Sequence, residues 1–308
     1  MGQLPIARIR ADQAPTLFLE KLYAAEQPVI IEGVRVPESL KARLSSRTIL
    51  NDIIENEDDR NVNPRAAGWL DMTAEVLLKP HTDAAFQEFI SSLLPKTGVS
   101  FRRTWVRIFG HEAGHITSWH YDGNGIHGLN LCVHGRKHWQ VVSPTTPLVH
   151  VPFGVGALQG YMPLTERQRE RLDWMEFECR EGELLFVPRG WSHFVISLES
   201  WNANVTWVFT PKEENTSTRV GRREMASVLA MDWLRRPSVY RFLPHWMKMH
   251  VDVEAGDEEF ADRVASFRGK VSLAPLAADI VGEVSRIPLA FAAYFLYQAL
   301  PERKPRER

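Results

Sequence analysis

The segment His120-Tyr121-Asp122 sets an imidazole and a carboxylate two residues apart. In an extended strand, alternate side chains leave the same face, so these two groups can reach one cation together. A third ligand is expected from His193, which ends the run GELLFVPRGWSH. Its apolar stretch, residues 184–187, reads as a strand and Pro188 to Gly190 as a turn, which delivers His193 at the start of the next strand. Two imidazoles and one carboxylate on one side of a metal leave three positions open, the donor set of non-haem ferrous oxygenases. A structural zinc site would be closed by four ligands and would usually recruit thiolates, and neither Cys132 nor Cys179 is placed to serve. The competing reading makes Asp122 a turn cap ahead of Gly123-Asn124-Gly125 and both histidines core residues. It requires burying a carboxylate without a cation, which is costly.

Lys137 supplies a second chemical signal. Alternation over residues 128–134 puts Asn130 and Cys132 on one face, opposite Leu129, Leu131 and Val133. After the turn at Gly135, Lys137, Trp139 and Val141 share a face and Arg136 points to solvent. An inward lysine needs an anion, and a carboxylate of a dicarboxylic acid meets that need by a charge-assisted hydrogen bond. Snorkelling to the rim is the alternative. Arg107 alternates with Trp105 and Phe109, so an inward cation there could bind a cosubstrate or substrate carboxylate. His111, His115, His127, His134 and His138 read as strand-surface or turn residues, with His127 in a loop that could touch a substrate. Trp191 is expected to pack His193 in place, and Glu183 to lie at the surface.

The elements that must position these groups change texture near residue 99. From there to about residue 211, short runs rich in Val, Ile, Phe and Trp are punctuated by Gly and Pro. Residues 105–109, 128–133, 138–142, 174–179, 184–187, 194–198 and 203–209 read as strands of an antiparallel barrel or sandwich. Before them, residues 13–27 read as a helix broken by Pro28 and residues 29–31 as a strand stopped at Gly33. Residues 35–98 read as mostly helical, with apolar spacing at 74–78 and 86–94. After them, residues 219–234, 258–267 and 287–300 read as helices. The expected organisation is an N-terminal strand and helices over 1–98, a catalytic barrel over 99–211 and a C-terminal helical region over 212–308.

A net charge of −1 gives no support to nucleic acid as a partner. Two cysteines cannot build a disulfide scaffold, which fits a reducing cytoplasm. The start MGQLPIARIRADQ lacks the apolar run of a signal peptide. Residues 287–300, IPLAFAAYFLYQAL, are too short to span a bilayer. Their length suits a core or dimer-interface helix, and the basic tail after them keeps a membrane-surface helix open.

The runs GHITSWHYD (114–122), LNLCVHGRKHW (129–139) and GELLFVPRGWSH (182–193) resemble the JmjC and cupin-like 2-oxoglutarate oxygenases. In pattern they are similar to the small hydroxylases related to the asparaginyl hydroxylase of hypoxia-inducible factor. The resemblance covers residues 100–210 and extends more faintly to 28–33. It implies a mainly β chain with flanking helices, its core a double-stranded β-helix (cupin/jelly-roll) barrel. It implies iron(II) and 2-oxoglutarate as cofactors, with His120, Asp122 and His193 as iron ligands. Lys137 and Thr117 would hold the distal carboxylate, and Asn130 and Trp139 would line the cosubstrate pocket. The sequence departs from the pattern in three places. Two extra residues separate Asp122 from Gly135, and Gly128 and Thr206 stand where the family often has Asn. Asn204 is expected to serve in their place. The implied activity is hydroxylation of a protein or peptide side chain, or demethylation where the attacked carbon sits on nitrogen. Hydroxylation of a small molecule, and a metal-binding cupin or isomerase that does not use 2-oxoglutarate, are the alternatives. Relatives often dimerise through C-terminal helices, so a homodimer through 287–300 is expected.

Overall fold

The computed structural model describes residues 2–49, 60–61, 69–73, 81–100, 105–122, 125–144, 162–211, 218–243, 248, 251 and 258–268. Within them the β-branched and aromatic runs form two mixed sheets. The smaller has the order β1 (Gly2–Gln3), β11 (Asp173–Arg180), β10 (Arg136–Val142), β13 (Ser192–Ser197) and β8 (Ile116–His120). The larger begins with β2 (Ala7–Arg10), β3 (Val29–Glu32), β12 (Leu184–Val187) and β9 (His127–His134). It continues through β14 (Trp201–Pro211), β7 (Trp105–Glu112), β5 (Trp69–Thr73) and β4 (Arg60–Asn61), and β6 (Val99–Ser100) pairs with β14 off this path. Neighbours are antiparallel except β1 on β11 and β2 on β3. The arrangement is consistent with a jelly-roll-like β sandwich.

Alternation decides what each face buries. Leu129, Leu131 and Val133 of β9 join Val106, Ile108 and Val205 on the outer face of the larger sheet. There they meet Ala14, Phe18, Leu40, Phe86 and Ile90 from the N-terminal helices. The opposite parity, Cys132, Trp139, Val141, Leu185 and Val195, packs between the sheets. Trp119, Val142, Trp174 and Phe194 of the smaller sheet pack against Leu164 and Leu172. Met225, Val228, Phe260 and Val264 of the helices Arg219–Leu234 and Glu258–Arg268 form a separate cluster.

Two expectations need correction. The stretch 35–98 is not mostly helical throughout, because β4 and β5 extend the larger sheet from β7. Pairing with β7 overrode local propensity there. The N-terminal helix is also short: Ala14–Leu17 continues as a π-helix, Phe18–Tyr23. The spans 74–78 and 287–300 lie outside the described residues. No described helix is long and apolar enough to cross a membrane.

Gly135 is the turn from β9 into β10, with φ +78°. A Cβ there would lie 2.4 Å from the Trp201 carbonyl oxygen and 2.6 Å from Asn202 Oδ1. Gly135→Ala therefore combines a left-handed backbone with a backbone clash. It is expected to destabilise the fold by about 2 kcal/mol or more, read as a lowered urea midpoint.

Candidate metal and anion site

Neighbouring strands bring the three candidate ligands together. His193 of β13 stands opposite His120 of β8, with ring centroids 4.2 Å apart. Asp122 lies just past the end of β8 rather than within a strand. One ligand atom from each of His120, Asp122 and His193 falls within 4.8 Å of the others. The tautomers are set from behind. His120 Nδ1 is 2.7 Å from the Ser118 carbonyl oxygen and His193 Nδ1 is 3.1 Å from that of Trp191. Both Nδ1 atoms are therefore N–H donors, which leaves each Nε2 as a lone pair for a metal. His193 is held neutral well below its ordinary pKa, first by burial and then by His120. Two nitrogens and one carboxylate oxygen fit a ferrous ion with open positions better than a closed zinc shell.

Thr117 is three residues before His120, a spacing that would point the two in opposite directions along a regular strand. Between His193 and Val195 the pairing with β8 shifts, so that Val195 faces Thr117. This bulge turns both Thr117 and His120 into one cavity.

That cavity lies between the sheets and holds Lys137, Asn130 and Trp139 with the three candidate ligands. Lys137 is only 5% exposed. Among the described residues its amine makes no hydrogen bond or ion pair, and it lies 5.8 Å from the centre of the Phe109 ring. Burial lowers its pKa to about 8.

Other assignments move. Asn204 is fully buried and donates to Asn130 Oδ1 at 2.7 Å, so it stands behind Asn130 rather than on the wall. Thr206 lines the cavity instead and accepts from Asn130 Nδ2 at 2.7 Å. Gly128 lies on the wall as well, so the small residue and the threonine of this chain shape the space. His127 is a strand residue with no exposure, stacked on Phe186 and Phe209. It is therefore core, not a substrate-facing loop residue. His111 is buried on the cavity wall rather than at the surface. His134 and His138 face Lys41 and Glu176, away from the cavity. Arg107 lines the cavity. Arg136 pairs with Glu178 and Glu199, and Glu183 is largely covered and pairs with Arg8.

Sequence reasoning did not find the support behind His193. Glu26 sits at φ 48° at the end of the N-terminal helix. Its carboxylate accepts from Arg189 Nε at 2.7 Å and its carbonyl accepts from Trp191 Nε1 at 2.9 Å. The turn carrying His193 is thus clamped by a segment more than 160 residues away in sequence. Arg189→Ala leaves the Glu26 carboxylate without its cation. Because Glu26 keeps some access to water, the loss is expected to cost about 2 kcal/mol of stability and to weaken metal binding about ten-fold, read by thermal unfolding and metal titration. No local pattern announces such a pair.

No family model matches the chain. The chain is similar to the arginine-specific demethylase JMJ22 of Arabidopsis thaliana, with 32% identity over 127 residues, 37% of this chain. The aligned part spans 24% of that relative, about a quarter of its length. This partial likeness is in keeping with a JmjC/cupin-type family and does not single out the asparaginyl hydroxylases.

Proposed function

We propose that the chain is an iron(II)- and 2-oxoglutarate-dependent oxygenase on a double-stranded β-helix barrel, acting on a protein or peptide side chain. The observation that carries this reading is Lys137, a buried amine without a counter-ion among the described residues, in the same cavity as an open His-His-carboxylate set. A cupin that merely stored metal would have no use for that amine, and burying it costs free energy that a bound carboxylate would return. An isomerase or oxygenase that does not use 2-oxoglutarate leaves it equally unexplained.

In this reading His120 Nε2, His193 Nε2 and Asp122 would hold iron(II). With 2-oxoglutarate and dioxygen bound, the metal supplies oxidative decarboxylation and oxidation of a substrate C–H. Lys137 Nζ and the Thr117 hydroxyl bind the distal carboxylate and so orient the cosubstrate. Asn130, tied to Asn204 and Thr206, is held rigid on the opposite wall. Trp139, Val195 and Phe109 narrow the space and exclude water. In this reading the strands of residues 99–211 supply the metal and anion groups, N-terminal strands and helices pack on that barrel, and the enzyme works as a cytoplasmic homodimer.

A second reading, N-demethylation, is favoured by the likeness to an arginine-specific demethylase. It needs no change in the site, since hydroxylation of an N-methyl carbon gives a product that loses formaldehyde. The test is carbon dioxide release from carboxyl-labelled 2-oxoglutarate by anaerobically iron-loaded protein, followed by mass spectrometry of candidate peptides. Hydroxylation adds roughly 16 Da and demethylation removes roughly 14 Da. No release with any peptide, at full iron occupancy, contradicts the proposal.

A further inference from the structure

The cavity wall holds a group with no role in the chemistry proposed so far. His111 is 8% exposed and lines the cavity, yet among the described residues its Nδ1 is buried without a hydrogen-bond partner. A buried polar side chain left unsatisfied costs free energy unless a ligand or water completes it.

Its place beside Lys137 is fixed by the backbone. His111 of β7 pairs with Asn202 of β14. The Asn202 side chain donates to the His111 carbonyl oxygen at 3.3 Å, and its Oδ1 accepts from the Arg136 N–H at 3.0 Å. One buried amide thus ties His111 to the turn that leads into Lys137. On the smaller sheet Lys137 pairs with Ser197, whose N–H donates to the His115 carbonyl oxygen at 3.0 Å. The His115 ring then stacks on His111, with centroids 3.7 Å apart and planes within 7°. A stacked imidazole pair thus brackets the connection from β7 to β8 and feels the charge of Lys137.

A buried carboxylate carries four lone-pair positions. Lys137 and Thr117 alone leave some of them unmet in a site that excludes water. We propose that His111 is a third ligand-binding group, a neutral imidazole whose N–H completes, with Lys137 and Thr117, the hydrogen-bond shell of the distal carboxylate of a five-carbon 2-oxo diacid. This rests on the 2-oxoglutarate reading and adds a selectivity element to it. Burial, then the charges of Lys137 and His115, hold His111 neutral down to about pH 2, so Lys137 carries the charge and His111 contributes direction.

The test compares two probes on the full chain loaded anaerobically with iron(II): 2-oxoglutarate, and 2-oxopentanoate, which keeps five carbons but lacks the distal carboxylate. His111→Phe preserves the stack on His115 and removes the N–H. It is expected to weaken 2-oxoglutarate binding about ten- to a hundred-fold, the range for a hydrogen bond to a charged group, and to leave 2-oxopentanoate within about two-fold. His111→Gln restores an N–H and is expected to recover part of the loss. Unchanged 2-oxoglutarate affinity in His111→Phe overturns the proposal, as does an equal loss of both probes in a variant whose thermal midpoint is intact. If His111→Phe fails to fold, His111→Leu, which also lacks an N–H, decides: a loss confined to the diacid supports the proposal, and unchanged affinity for both probes overturns it. Failure of the underlying reading looks different. There the wild type shows no preference for the diacid, and Lys137→Ala changes nothing.

Discussion

His120→Ala and Asp122→Ala are each expected to lower iron-dependent succinate formation from 2-oxoglutarate by more than about a hundred-fold. Loss of a supporting contact to a metal ligand costs about ten- to a hundred-fold, and loss of the ligand itself exceeds that. With only three protein donors within reach of one another, neither variant has a spare group to substitute among the described residues. The two should differ in stability. Asp122→Ala removes a carboxylate from beside two imidazoles, whereas His120→Ala also vacates the partner of His193 across the β8–β13 pair. Full turnover in both variants, measured as succinate per iron, would sink the assignment of the triad.

Lys137→Ala should raise the KM for 2-oxoglutarate by at least about thirty-fold, the lower bound for truncating one partner of a buried charge pair. The iron site is expected to remain, so kcat at saturating cosubstrate should fall far less. The wild type carries a linked pH signature. Because burial lowers the Lys137 pKa to about 8, the empty site loses its positive charge as pH rises through 8. A bound carboxylate favours the charged amine, so binding takes up a proton above that point and KM should climb with pH beyond about 8. Below it, Lys137 is already charged and KM should be flat. In Lys137→Ala the alkaline rise should vanish. A KM unmoved by the substitution contradicts the anion pocket and leaves the metal site standing.

Much of this was legible because the signals are periodic or local. Alternation separated Leu129, Leu131 and Val133 from Asn130 and Cys132, and the structure buries those sets on opposite faces of the larger sheet. The Pro–Gly turn before His193 was readable because only a few residue types make such turns. Thr117 was reachable by resemblance alone, since its three-residue spacing from His120 makes sense only with the bulge on β8. His111 was missed although it continues the alternation of Arg107 and Phe109, because a histidine at a strand end reads equally well as surface. Asn204 was misplaced because residues two apart on one face differ in depth, and depth depends on the neighbouring strand. Strands β4 and β5 and the Glu26–Arg189 pair are long-range in sequence, and no local propensity encodes them.

The most direct measurement is an anaerobic titration of metal-stripped protein with iron(II) in the presence of 2-oxoglutarate, run beside His193→Ala. One ion per chain in the wild type, with tight binding lost in the variant, is the expected result. Equal stoichiometric binding in His193→Ala, or none in the wild type, would show that β8 and β13 do not share a ferrous centre.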